Sequence, residues 1–136
     1  MTDFESIYDK MDIGQTRNQL ADLGWVNLGQ IDLAAGVTEI RDEIDRLALE
    51  DDTEVNYGGS EHRIWKAHKK SKSVDAFRRF SDRVLTEVDE KPVEAFDVLA
   101  IRNRPIDATD NGVVQGRWHL DSFNRQLKIF MFLFAL

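Results

Sequence analysis

The last eight residues, Ile129 to Leu136, form an unbroken apolar run (IFMFLFAL), and no other feature restricts the possible folds of this chain as much. Eight residues fall far short of the roughly 20 that an α-helix needs to cross a bilayer. The run is rich in Phe and reads as a buried strand, expected over Gln126 to Leu136. A strand that is apolar on both faces needs cover above and below, and a place inside a sheet needs neighbours at both edges. Chain ends are usually polar and exposed. The run therefore predicts that further strands follow Leu136 in a larger sheet. A small natural domain whose last strand pairs centrally is the alternative.

The earlier part of the chain has a different period. Phe4, Ile7, Tyr8 and Met11, then Leu20 and Leu23, follow helical spacing, with an interruption near Gly14 and Gly24 as the C-cap, so two short helices are expected. Trp25 to Leu28 is a brief β-rich stretch. Asp32 is the expected N-cap of an amphipathic helix that carries Val37, Ile40, Ile44 and Leu47. Asp51 to Ser60 is acidic, contains Gly58-Gly59 and reads as a loop. Ser73 is the expected cap of a second strong helix with Val74, Phe77, Phe80, Val84, Leu85 and Val88 on one face, and Pro92 stops it. Beyond Pro92, strands are expected at Phe96 to Ile101 and from Val113, with a polar turn at Asp107 to Gly112. The prediction is one α+β domain over residues 1–136, mainly helical through residue 92 and built of β-strands from 93 onward.

Composition narrows the function classes. Three Trp, two Tyr and eight Phe in 136 residues supply enough apolar surface to offset the ordering entropy, which argues against disorder. A net charge of -7 opposes binding to a phosphate backbone, so no nucleic-acid partner is expected. The one basic run, Lys66 to Lys72, is balanced by acids elsewhere and reads as a solvated edge. With no Cys, thiolate metal sites and thiol nucleophiles are excluded, so any metal must use nitrogen and oxygen ligands. The N-terminus MTDFESIYDK has neither a basic start nor an apolar core, so a cytoplasmic protein without signal or transit peptide is expected, with no membrane partner.

The residues with the most chemistry lie in Gly116 to Phe123. His119 and Asp121 are two apart, so on a strand both side chains leave the same face and can reach one metal ion. One imidazole, one carboxylate and a second imidazole make the facial triad that holds Fe(II) and leaves three positions open. Taken alone, a His-x-Asp triplet also fits a structural histidine paired with an aspartate.

The stretches LAIRN (Leu99 to Asn103) and GRWHLDSFNRQLKIFMFL (Gly116 to Leu133) resemble the phytanoyl-CoA dioxygenase-like family of Fe(II)- and 2-oxoglutarate-dependent oxygenases. In that family a Trp-His-x-Asp segment precedes a strand bearing Lys or Gln and an apolar run. The helix ending at Gly24-Trp25-Val26 and the one after Asp32 look like that family's entry into its barrel. The resemblance implies helices packed on a double-stranded β-helix, or jelly roll, with the C-terminal strands missing from this sequence. It further implies His119 and Asp121 as the first two iron ligands, 2-oxoglutarate as co-substrate, and hydroxylation of an unactivated C–H bond in a small-molecule substrate.

The family's second His, and the Arg that pairs with the far carboxylate of 2-oxoglutarate, have no counterpart among these 136 residues. His62 and His68 precede the expected sheet and read as ordinary polar residues. Gln126 and Lys128 alternate toward one face of the last strand and are candidates for contact with 2-oxoglutarate; a Lys128 that snorkels from the sheet rim is the alternative. Trp65, Arg102 and Trp118 are candidate substrate contacts, Trp65 by analogy with a loop over the barrel mouth. The chain alone is expected to be inactive. The competing expectation is a non-catalytic interaction module that self-associates through its exposed C-terminal strand.

Overall fold

A computed structural model describes residues 4–28, 36–94 and 97–103. Its centre is α5, Lys72–Asp89, an 18-residue helix against which α1 (Phe4–Tyr8), α2 (Ile13–Leu23) and α3 (Gly36–Leu47) all pack. The apolar residues of α5 recur every three or four positions, and Val74, Phe80, Val84 and Val88 are buried along one stripe. Phe4 stacks on Phe80 at 5.1 Å between ring centroids and meets Phe77 at 6.0 Å, which fixes α1 on that stripe. Arg83 covers the Tyr8 ring at 3.6 Å and reaches Glu5.

The helix ends follow from capping chemistry. Asp12 accepts from the Gln15 N–H at 2.9 Å and starts α2, so the break falls at Asp9–Asp12 and Gly14 sits inside the first turn. Gly24 closes α2 with a φ of 75° and donates its N–H to the Leu20 carbonyl at 2.9 Å, as expected of a C-cap. Ser71, rather than Ser73, caps α5: its hydroxyl accepts from the Val74 N–H at 3.1 Å and also bonds Glu43 of α3. The same residue ends the short helix α4 (Ala67–Lys70), and Ser73 is buried in the first turn of α5. At the far end Arg17 of α2 donates to the carbonyls of Glu87 at 2.7 Å and Val88 at 3.2 Å, satisfying two acceptors that the helix cannot satisfy itself. Thr86 then turns the chain back by bonding both the N–H and the carbonyl of Val93.

The described strands form one antiparallel sheet in the order β1-β2-β3, with β1 at Glu54–Asn56, β2 at Glu61–Ile64 and β3 at Ala100–Asn103. Two of them fall within the part of the sequence read as helix and loop. They form a hairpin about Tyr57–Gly59, where three consecutive residues take positive φ. Glu54-Val55-Asn56 is too short and too polar to show alternation, which is why it reads as a loop. Trp25 to Leu28, expected to be β, forms no strand, and Trp25 and Leu28 are exposed. The expected helix with Ile40, Ile44 and Leu47 is α3, and the strand expected to reach Ile101 begins at Ala100 and runs to Asn103.

The core joins sheet to helices: Ile64 and Ala100, directly opposite one another, are buried with Leu47 of α3 and Val84 of α5. This mixed arrangement of helices and a three-stranded antiparallel sheet agrees with the α+β expectation. The turn at Asp107 to Gly112 and the strands expected from Val113 and over Gln126 to Leu136 lie outside the described residues.

Candidate functional site

Two of the sequence-predicted site residues, Trp65 and Arg102, lie within the described part, and the sheet register separates them. In the β2–β3 pair His62 faces Arg102 and Ile64 faces Ala100, so these four side chains share one face. Ile64 and Ala100 are buried there against the helices, and Arg102 reaches Asp45 of α3 through its Nε. The other face carries Glu54, Asn56, Glu61, Arg63 and Ile101. Trp65 belongs to that second face, since its indole Nε1 donates to Glu54 Oε2 at 2.7 Å. A small ligand resting on one face of the sheet meets Trp65 or Arg102, not both.

The Trp65 side is a connected polar network. Asn56 Nδ2 donates to Glu54 at 2.8 Å, and Arg63 Nε donates to the buried Glu61 at 2.6 Å. The hydrogen bonds from Asn56 and from the Trp65 indole, with the Arg63 charge adding to them, hold the Glu54 carboxyl below the usual carboxylate range. Backbone geometry fixes the same corner. Lys66 takes a left-handed φ of 54°, its N–H donates to Asp97 Oδ1 at 2.9 Å, and the Ala67 N–H donates to the Val98 carbonyl at 2.9 Å. Trp65 is thus anchored by its polar edge and by the backbone turn at Lys66 that follows it, while the residue stays 47 % exposed.

On the Arg102 side, Nε is the guanidinium nitrogen that Asp45 holds. Arg102 Nη1 and, across the strand pair, His62 Nδ1 are shielded from solvent and have no hydrogen-bond partner among the described residues. His62 therefore lies inside the sheet rather than ahead of it, which corrects the sequence expectation. A readable signal exists: two short runs, Glu54-Val55-Asn56 and Glu61-His62-Arg63-Ile64, flank Tyr57-Gly58-Gly59-Ser60 as the arms of a hairpin. His68, on α4, lies 3.9 Å from Asp97. The basic run is partly neutralised, as Lys70 contacts both oxygens of Asp52 at 2.6 Å and Glu50 at 3.4 Å.

Trp118, His119, Asp121, Gln126 and Lys128 lie outside the described residues. Among the described residues no group of three or more His, Asp or Glu is placed to hold a metal ion, and no helix is long and apolar enough to cross a membrane. Comparison of the chain with protein-family models, with curated proteins and with solved structures finds no match.

Proposed function

We propose that this chain carries part of the iron centre of an Fe(II)- and 2-oxoglutarate-dependent dioxygenase, a hydroxylase of a small organic substrate, with His119 and Asp121 as two of its three protein ligands. The observation that carries this proposal is the segment Trp118-His119-Leu120-Asp121, followed by Gln126, Lys128 and the apolar run. The donor set fits: an imidazole nitrogen and a carboxylate oxygen two residues apart in the sequence could both hold one ion if that segment is extended, and both would suit Fe(II). Bound there with 2-oxoglutarate, iron supplies the oxygen chemistry.

The chain's own residues bind, orient and exclude. Asp121 supplies negative charge against the cation, and His119 holds the ion through one ring nitrogen while the other remains to be fixed by a hydrogen bond. Trp118 and Phe123, flanking the ligands, wall the site from water. Gln126 offers an amide N–H and Lys128 an ammonium toward a carboxylate of the co-substrate.

His62 and His68 are not taken as the third ligand, because one belongs to β2 and the other to α4, within the helical and hairpin portion of the fold. No residue of this sequence is assigned as the remaining His or as the Arg that binds 2-oxoglutarate. The test is 2-oxoglutarate decarboxylation by the purified 136-residue chain supplied with Fe(II). No turnover is expected, since two ligands bind iron weakly and nothing orients the far carboxylate. Sustained decarboxylation by this chain alone would overturn this division of the site.

A further inference from the structure

We draw no further inference here: the strongest candidate, the exposed patch at Trp65 on the sheet face that carries Glu54, Asn56 and Arg63, has polar groups that bond one another, and nothing in the structure shows what covers it.

Discussion

Ser71→Ala tests the packing of this fold at one hydroxyl. Ser71 is 5 % exposed, ends α4, caps α5 by accepting from the Val74 N–H, and ties α5 to α3 through Glu43. Loss of a serine N-cap costs about 1 kcal/mol. Loss of a hydrogen bond to a charged group adds about 1.5 kcal/mol. The sum, roughly 2–3 kcal/mol, is large because the affected helix is the one that α1, α2 and α3 all pack against. With an unfolding entropy of about 2.1 cal/mol/K per residue over 136 residues, Tm should fall by about 7–10 °C. Urea unfolding followed by circular dichroism, together with calorimetry, measures both quantities. Ser73→Ala is the control: Ser73 lies inside the first turn, where Ala is the better helix former, so that variant should stay within about 0.5 kcal/mol of the parent. If Ser71→Ala changed stability by less than about 0.5 kcal/mol, or if Ser73→Ala cost more than Ser71→Ala, the assigned cap and the tie to α3 would be wrong.

Two further outcomes follow from the hairpin. Glu54 has its folded pKa depressed by Asn56 and Trp65, so it contributes stability above its unfolded pKa and loses that contribution as pH falls through the lower folded value. The stability gap between the parent and Glu54→Gln should accordingly be widest at neutral pH and shrink as pH falls below the usual carboxylate range; a gap that widens on acidification would refute the network. Gly58 has a φ of +64° with open space around its Cβ position, so Gly58→Ala meets only the backbone penalty of about 1 kcal/mol, read as a shift in the urea midpoint with an unchanged slope.

The parts of the fold that were legible in the sequence are those where one local rule acts without competition. The stripe of Val74, Phe80, Val84 and Val88 and the Gly24 C-cap are read directly from period and residue type. The cap of α5 was less readable because Ser71 and Ser73 are equivalent by propensity; Glu43, distant in sequence, bonds the first of them. The hairpin was obscured because an edge strand of three residues carries no alternation, which left the Gly58-Gly59 turn as its main signal. For the candidate site, the spacing of His119 and Asp121 is readable in the sequence, whereas the supports of the Trp65 corner are not: Glu54 bonds the indole from 11 residues away, and Asp97 bonds the Lys66 N–H from 31 residues away. Register also sets Trp65 and Arg102 on opposite faces, which no reading of residue types reveals.

The central claim is that His119 and Asp121 hold one metal ion. Manganese(II), which takes the same nitrogen and oxygen donors and broadens the NMR signals of nearby nuclei, reports a weak two-ligand site without turnover. Titrated into the labelled 136-residue chain, it should broaden the resonances of His119 and Asp121 first, and His119→Ala or Asp121→Ala should each remove that effect while His62→Gln leaves it intact. Broadening that centres instead on the acidic stretch Glu50 to Asp52, and that survives both substitutions, would contradict the claim.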